Sequence, residues 1–242
     1  MTTDAPVRVH QSALLRVSDV TKRFGGVLAV RGCSLALEAQ STCGLIGPNG
    51  SGKTTLFNII TGLYHPDSGA IAFRGQRIDG LPAYRIAEQG VGRTFQIIRV
   101  FPKMTVMENM LAVSRDSNPA RKAKGLLEMV GLTPLSNEYA GNLSYGQQKL
   151  LEFARVLMRD PALIMLDEPF AGVNPTMENI LIAHIKALRE KGTTFLIIDH
   201  EMKIIMSLCD RIFVLDHGEL IAQGLPADIQ NNERVLEAYF GR

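Results

Sequence analysis

The sequence predicts an α/β fold in which a largely parallel sheet is covered by helices on both faces. Two observations carry this prediction. A glycine-rich stretch at residues 44–55, GLIGPNGSGKTT, separates an apolar run from a predicted helix. After residue 160, short apolar runs alternate with helical patterns, as in sheets whose parallel strands are buried on both faces. With 242 residues, the chain is long enough for one large domain with a sizeable core.

The first part of the chain predicts a strand-rich layer. Residues 13–24 and 33–47 alternate or run apolar with turn residues between them, so both segments are expected to be extended. A helix is expected at 53–61, because glycine and proline follow it. Residues 69–78 then favour a short pair of strands.

The second part predicts a helical insertion followed by alternating strands and helices. The insertion covers about 97–160, and apolar residues at helical spacing mark its last helix, which should end near Asp160 because Pro161 follows. The patterns beyond it predict strands at 162–168, 193–200, 211–216 and 219–224, with helices at 175–191 and 201–209.

Composition and charge exclude several classes of protein. The net charge of +2 argues against a strongly basic nucleic-acid binder, and we predict no nucleic-acid partner. The first 15 residues lack the basic start and apolar stretch of a secretory signal. No apolar run approaches the roughly 18 residues that cross a bilayer. We therefore expect a soluble chain with reduced cysteines, whose membrane role, if any, comes through a partner.

The glycine-rich stretch predicts a nucleotide site. Residues 47–54 match the pattern G-x-x-x-x-G-K-[ST] without a mismatch. In such a loop successive backbone N–H groups surround phosphate oxygens, and the helix N-terminus adds partial positive charge. Lys53 can reach the β- and γ-phosphates, and the Thr54 hydroxyl can bind Mg²⁺. The alternative is an ordinary strand-to-helix turn. The predicted binding residues are Gly47, Pro48, Asn49, Gly50, Ser51, Gly52, Lys53, Thr54 and Thr55.

An acidic pair follows the apolar strand predicted at 162–168. Asp167 and Glu168 lie where a buried strand ends, which is where open α/β sheets bind ligands. Asp167 suits an outer contact to Mg²⁺, and Glu168 can polarise an attacking water. By themselves two such residues are more often simply a strand reaching solvent; beside a phosphate loop the functional interpretation is favoured.

Three further segments are weak signals when taken singly. Ser144 and Gln147 form a capping-box pattern, which explains them without a ligand, although a capped helix N-terminus with Gly146 nearby can also bind a phosphate. Gln96 is equally consistent with a surface amide. His200 is equally consistent with a hydrogen-bonded histidine at a strand end.

The order of these features along the chain resembles the nucleotide-binding subunit of an ATP-binding cassette (ABC) transporter. The resemblance covers nearly the whole sequence and implies a P-loop NTPase (RecA-like) core with an antiparallel β subdomain and a helical subdomain. The matching segments are GPNGSGKTT (Walker A, 47–55), TFQ (Q-loop, 94–96), LSYGQ (signature, 143–147), LIMLDEP (Walker B, 163–169), AGVNP (D-loop, 171–175) and the switch histidine His200. As domains, the resemblance implies one ABC ATPase domain over 1–242, with the core and β subdomain at 1–96 and 161–242 and the helical subdomain at about 97–160.

The same resemblance implies roles for individual residues. ATP and Mg²⁺ would be the ligands, with Glu168, His200 and Gln96 as catalytic residues. Thr54, Gln96 and Asp167 would contact the metal. Two subunits would face head to tail, so that Ser144, Gly146 and Gln147 contact ATP held by the other chain. Phe24 would stack on adenine; an ordinary core phenylalanine is the alternative.

Two positions depart from the usual family pattern. Tyr145 stands where the signature commonly has glycine, and Asn174 stands where the D-loop commonly has aspartate. Asn174 also fits a helix N-cap ahead of Pro175. Neither removes a phosphate donor or the base, so we expect an active ATPase.

Further segments resemble the ATP-binding subunits of branched-chain amino acid importers, with urea and amide importers close by. They are RFGGVLAV, GVGRTFQIIRVFPKMTVMENM, LSYGQQ and the ending NNERVLEAYFGR. The resemblance implies multi-span permease partners, a second ATPase subunit (a copy or a paralogue), an indirect link to a substrate-binding protein, and a peripheral location on the cytoplasmic face of the inner or plasma membrane. The alternatives are the ATPase of a lipopolysaccharide exporter and a soluble non-transport ABC ATPase. Part of the apolar segment 97–107 would line the groove for a permease helix; core packing is the alternative.

Overall fold

A computed structural model describes residues 13–240, with the side chain of residue 240 excepted. Glycine and proline residues separate most of its elements, which alternate as the sequence patterns predict. In chain order the elements are β1 (Leu15–Phe24), β2 (Val27–Leu37), β3 (Thr42–Ile46), α1 (Lys53–Ile60), β4 (Ser68–Phe73), β5 (Gln76–Arg77), α2 (Ala83–Glu88), β6 (Val91–Arg93), α3 (Val106–Leu111), α4 (Pro119–Met129), 3₁₀ turns at Thr133–Leu135 and Ala140–Asn142, α5 (Tyr145–Leu157), β7 (Leu163–Asp167), α6 (Pro175–Glu190), β8 (Thr194–Ile198), α7 (Met202–Leu208), β9 (Arg211–Asp216), β10 (Glu219–Gly224), α8 (Pro226–Gln230) and α9 (Glu233–Phe240).

The strands form two sheets, and this confirms the predicted fold class. A six-stranded sheet has the order β10-β9-β3-β8-β7-β6, in which the neighbours from β9 to β6 run parallel and β10 pairs antiparallel at the edge. A four-stranded antiparallel sheet has the order β2-β1-β4-β5. The parallel order brings the carboxyl ends of β3, β7 and β8 to one edge, where ligands bind in open α/β sheets.

The core explains why the apolar runs are continuous. Every residue of β3, β7 and β8 is buried, because helices or the second sheet cover both faces. In a strand buried on both faces, alternation between apolar and polar residues is lost. The helices predicted between 97 and 160 are present as α3, α4 and α5.

Several element bounds differ from the sequence prediction. β2 begins at Val27, six residues before the predicted start, because it pairs with β1 along nearly its full length. β6 has only three residues, too few to give a period, and it is extended because it pairs with β7. The helix α5 ends at Leu157 rather than near Asp160.

The described residues contain no helix that is both long enough and apolar enough to cross a membrane. The three cysteines are buried free thiols, as predicted. Burial raises the pKa of Cys33 to about 12 and the pKa of Cys43 to about 11, so these thiols stay protonated at neutral pH.

Candidate nucleotide site

The phosphate loop joins the end of β3 to the first residue of α1. Gly47 adopts φ 150° and Gly52 adopts φ 101°. A Cβ on Gly47 would lie 1.9 Å from the carbonyl oxygen of Leu215, and one on Gly52 would lie 2.3 Å from that of Ala29. Backbone and neighbouring strands therefore leave no space for side chains at these two positions, which is why the loop requires glycine there.

Lys53 is held inside this loop. Its Nζ donates to the carbonyl oxygens of Gly47, at 2.8 Å, and Pro48, at 2.9 Å, and lies 3.4 Å from the Ser51 hydroxyl oxygen. Burial lowers the pKa of Lys53, while the carboxylates of Glu168 and Asp167 act in the opposite direction. The loop's own carbonyl and hydroxyl oxygens therefore hold the Lys53 cation at the loop.

A cleft of about 590 Å³ opens beside the loop. Its lining joins residues 49–55 to three side chains that the sequence analysis selected, Gln96, Glu168 and His200. These three come from different parts of the chain: Gln96 follows β6, Glu168 follows β7 and His200 follows β8. The parallel pairing of β6, β7 and β8 places their carboxyl ends side by side and so brings the three residues to one site.

Glu168 forms the centre of this group. Its Oε1 lies 2.8 Å from Nε2 of His200, and its Oε2 accepts a hydrogen bond of 3.0 Å from the Gln96 amide. The backbone of Glu168 is left-handed, with φ 51°, which is uncommon for a residue other than glycine. Strain of this kind concentrates at functional sites, where the surrounding structure holds it in place.

Asp167 lies beside Glu168 but points into the protein. Its Oδ2 forms an ion pair of 2.8 Å with Arg93, and the two side chains are only 4% and 7% exposed. Arg93 also donates to Asn58, at 2.6 Å, and to Thr61, at 3.0 Å. Burial raises the pKa of Asp167, and the Arg93 cation opposes that rise. Asp167 is not among the residues that line the cleft.

Arg93 was not predicted as a site residue from the sequence, in which the segment 90–95 only precedes Gln96. The signal that was present is a single arginine inside a short apolar stretch, GVGRTF, shortly before a catalytic candidate. A buried arginine needs a carboxylate partner, and Asp167 was already a candidate at the end of a neighbouring strand.

Ser144, Gly146 and Gln147 lie at the N-terminus of α5. Gln147 N–H donates to the Ser144 hydroxyl at 3.4 Å, and the Gln147 side chain accepts from Ser144 N–H at 2.9 Å, so the predicted capping box is present. Asn174 likewise caps α6 by accepting from Met177 N–H at 2.9 Å, with Pro175 as the first helical residue. None of these residues lines the cleft of the same chain.

Comparison with known proteins decides the family. A family profile described as ABC transporter matches residues 30–171, more than half of the chain. The chain belongs to the ATP-binding cassette (ABC) transporter family. A second profile, described as Branched-chain amino acid ATP-binding cassette transporter, matches residues 219–242. ATP hydrolysis is the activity of this family, so the protein is an ABC ATPase.

Curated relatives and solved structures resemble this ABC ATPase over nearly their whole length. It is 44% identical to the high-affinity branched-chain amino acid transport ATP-binding protein BraF of Pseudomonas aeruginosa, over 94% of this chain and 98% of the relative. It is 43% identical to LivG of Escherichia coli, which carries the same description, with the same coverage. A nucleotide-free ATP-binding cassette from an ABC transporter matches with a TM-score of 0.89 and 33% identity, over 95% of this chain and 100% of that chain. A cassette in its ADP conformation gives a TM-score of 0.87 at 33% identity, over 96% and 100%.

Phe24 lies outside the lining of the cleft in this ABC ATPase. It ends β1, is 43% exposed and packs edge-to-face on Tyr64 with ring centroids 5.2 Å apart. Residues 27–29 line the cleft, whereas Phe24 does not. The alternative of a core phenylalanine does not hold, because the ring is exposed.

Gly47→Ala tests the steric requirement of the loop. The new Cβ would collide with the Leu215 carbonyl, so the loop or β9 must move. We expect the affinity for ATP to fall at least about tenfold, which corresponds to about 1.4 kcal/mol. Isothermal titration calorimetry measures this change. Gly80→Ala is the matched control, because a Cβ on Gly80 meets nothing within 4 Å; equal affinities for both variants would contradict the prediction.

Proposed function

We propose that this ABC ATPase energises the import of branched-chain amino acids, or of related amino acids or amides, by closing with a second ATPase subunit around ATP. The observation that carries the proposal is the group of Gln96, Glu168 and His200 at the rim of the phosphate-loop cleft. The chain is proposed to form one ABC ATPase domain that comprises a core, a β subdomain and a helical subdomain.

Within one subunit, the loop binds the ATP phosphates. The backbone N–H groups of the loop after Pro48 and of the start of α1 face the phosphates, and Lys53 supplies the balancing positive charge. Asn49 and Thr55 also line the cleft. Phe24 is proposed to stack on adenine, because its exposed ring is accessible and it precedes residues 27–29, which line the cleft.

Glu168 is the proposed general base. Its two oxygens are held by Gln96 and His200, which fixes the direction in which the carboxylate faces the cleft. A carboxylate fixed in this way can accept a proton from the water that attacks the γ-phosphorus. His200 is proposed to contact the γ-phosphate as well, because it lines the same cleft.

The residues at this site can bind Mg²⁺ together with the phosphates of ATP. No cluster of three or more His, Cys, Asp or Glu suited to a metal occurs in residues 13–240. Mg²⁺ bound together with ATP needs only one or two protein groups, because phosphates and water supply the rest. Thr54 and the amide oxygen of Gln96 are the proposed ligands in the cleft. Asp167 is proposed to act from behind them, since Arg93 occupies its Oδ2. The metal would neutralise charge on the phosphates.

The second subunit would complete the charge stabilisation. Ser144 and Gly146 lie at an exposed helix N-terminus that does not face the cleft of its own chain. Together with Gln147, they are therefore free to meet the γ-phosphate that another subunit holds. A second copy of this chain and a paralogue both satisfy this proposal.

The relatives support import of branched-chain amino acids. BraF and LivG are both described as branched-chain amino acid transport ATP-binding proteins. The description of the profile that matches residues 219–242 also names branched-chain amino acids. A lipopolysaccharide exporter and a soluble ABC ATPase are not favoured by these relatives. By the same reasoning, multi-span permease subunits are the direct partners and a substrate-binding protein the indirect one. The chain would then lie on the cytoplasmic face of the membrane as a peripheral subunit.

An apolar groove of about 300 Å³ suits a helix of the permease. It lies between α2 and α5, and its walls include Ile86, Ala87, Val113 and Val156. Arginine residues 99, 155 and 159 and the buried Glu152 also line it, so its charged lining is mainly basic. The buried Nε of Arg155 donates to no acceptor among residues 13–240. The groove therefore fits an apolar helix that carries an acidic residue. Of the segment 97–107, only Arg99 lines it.

Ala87→Trp tests this groove. The indole would fill it, so we expect co-purification of permease subunits to fall at least about tenfold, the change that a loss of about 1.4 kcal/mol produces. The ATPase rate of the isolated chain should stay within about twofold, since Ala87 does not line the nucleotide cleft. Ala120→Trp, on the exposed side of α4, is the control; unchanged recovery of permeases with Ala87→Trp would contradict the proposed groove.

The function itself is tested by purifying the tagged chain from detergent-solubilised membranes and identifying its partners. Two multi-span permeases, followed by ATP-dependent uptake of labelled leucine into vesicles that contain the complex, would support the importer. Permeases of a lipid exporter, or recovery without any membrane protein, would overturn it and leave the ATPase assignment intact.

A further inference from the structure

Lys149 occupies an unusual position for a lysine. It lies in the second turn of α5, five residues after Ser144, and is only 7% exposed. Burying an ammonium group costs several kcal/mol unless it is well compensated. An apolar residue of similar length would fill the same space at a lower cost. The buried ammonium group of Lys149 must therefore be compensated by the groups that it binds.

The ammonium group binds the turn that carries Glu168. Its Nζ donates to the carbonyl oxygens of Glu168 at 2.7 Å, Pro169 at 3.1 Å and Ala171 at 2.8 Å. An ammonium group has three N–H donors, and all three are used here on consecutive parts of one turn. Burial lowers the pKa of Lys149, and the nearby carboxylates of Asp199, Glu152 and Glu168 act against that shift.

This turn needs external support. Glu168 has a left-handed backbone, which costs of order 1–3 kcal/mol for a residue other than glycine. Its N–H is fixed from one side by the carbonyl oxygen of Ile198, at 2.8 Å. Lys149 fixes its carbonyl oxygen from the other side. The N–H group of Glu168 is thus held by β8, and its carbonyl group is held by α5.

Tyr145, the departure from the usual signature, belongs to the same arrangement. The Lys149 ammonium lies 5.4 Å from the centre of its ring. The ring also lies against Gly172, where a Cβ would come within 3.2 Å of Cε1. The first two turns of α5 and the segment 168–172 therefore pack as one unit.

We infer that Lys149 is a positioning residue for Glu168. By bonding to the backbone of the turn, it holds the Glu168 carboxylate in place at the cleft. Because the signature residues begin the same helix, a shift of α5 on contacting a neighbouring nucleotide would be transmitted through Lys149 to Glu168 of its own subunit. The inference rests on the proposed role of Glu168 as the base.

The experiment measures ATP hydrolysis by the full chain with Lys149→Met, Lys149→Gln and Lys149→Arg. For Lys149→Met and Lys149→Gln we expect kcat to fall about 10- to 100-fold, because a small displacement of a catalytic group has effects of this size. KM and the affinity for a fluorescent ATP analogue should change less than about twofold, because the phosphate loop is intact. Lys149→Arg, which keeps a cationic donor, should recover part of kcat. Lys122→Met is the matched control, because Lys122 forms an ion pair with Asp160 and neither residue lines the cleft.

A double-mutant cycle separates positioning from a merely structural role. In the Glu168→Gln background, single-turnover hydrolysis of labelled ATP should not fall further when Lys149→Met is added. A further fall of the same size as in the wild-type background would overturn the inference. So would kcat within about twofold of the wild type in either neutral variant, or unfolding of both neutral variants in circular dichroism. Full turnover by Glu168→Gln alone would instead remove the proposed base, which distinguishes the two failures.

Discussion

Glu168→Gln is expected to lower the steady-state rate of ATP hydrolysis at least about 100-fold, since a positioned general base contributes about 10²- to 10⁴-fold. The amide is nearly the same size as the carboxylate, so contacts with Gln96 and His200 are retained in part. It cannot accept the proton of the attacking water. ATP affinity should change less than about threefold, because residues 47–54 are untouched. A phosphate-release assay with MgATP gives the rate, and calorimetry gives the affinity.

The control for this substitution is Glu190→Gln, an equal change of charge at an exposed position at the end of α6. Its rate should match the wild type within about twofold, as is usual for surface substitutions. If Glu168→Gln turned over ATP at the rate of this control, the assignment of the base would be wrong. A parallel loss of ATP affinity would instead mean that the substitution disturbs the binding site.

Arg93→Met is expected to lower the free energy of unfolding by about 3–5 kcal/mol, because it leaves a buried carboxylate without its partner. Asp167 is only 4% exposed and its ion pair with Arg93 is 2.8 Å long. Arg93 also holds Asn58 and Thr61 and packs against the rings of Phe57 and Phe95. For a chain of this size the melting temperature should fall by about 10 °C, and calorimetry or circular dichroism measures it.

The pH dependence of this effect has a definite sign. Burial raises the pKa of Asp167 above its unfolded value, so the folded chain binds its proton more tightly. The unfavourable contribution of Asp167 is therefore absent at low pH and grows as pH rises through the window between the two pKa values. Arg93 lowers the pKa of Asp167 in the folded chain, so its removal raises that pKa further and extends the window to higher pH. The difference in stability between Arg93→Met and the wild type should accordingly shrink as the pH is lowered through this window, which melting curves recorded at a series of pH values measure.

Arg93→Met combined with Asp167→Asn supplies the matched comparison. The amide carries no charge, so the double variant should recover part of the stability that Arg93→Met loses. Additive losses would contradict the ion-pair explanation and point to the packing of Arg93 on the two phenylalanine rings. Arg93 also lines the apolar groove, so one side chain touches both the surface proposed for the permease and the carboxylate behind the cleft.

The sequence by itself determined the phosphate loop, the alternation of strands and helices, and the family. Each of these is encoded in contiguous residues: Gly47 and Gly52 permit a loop in which a side chain at either position would collide with backbone, and the apolar runs form strands that are buried on both faces. The capping boxes and N-caps at Ser144 and Asn174 were predictable for the same reason, because a cap depends on residues three positions apart.

Only the tertiary structure decided which side chains meet. Lys149 bonds to carbonyl groups 19 to 22 residues away, and Arg93 pairs with a carboxylate 74 residues away. Local periodicity carries no information about such pairs, because they form only after β6, β7 and α5 pack together. The same packing turned Asp167 toward Arg93 and Glu168 toward the cleft. Two adjacent carboxylates that look alike in the sequence thus acquire different environments, since neighbouring residues at a strand end point to opposite sides.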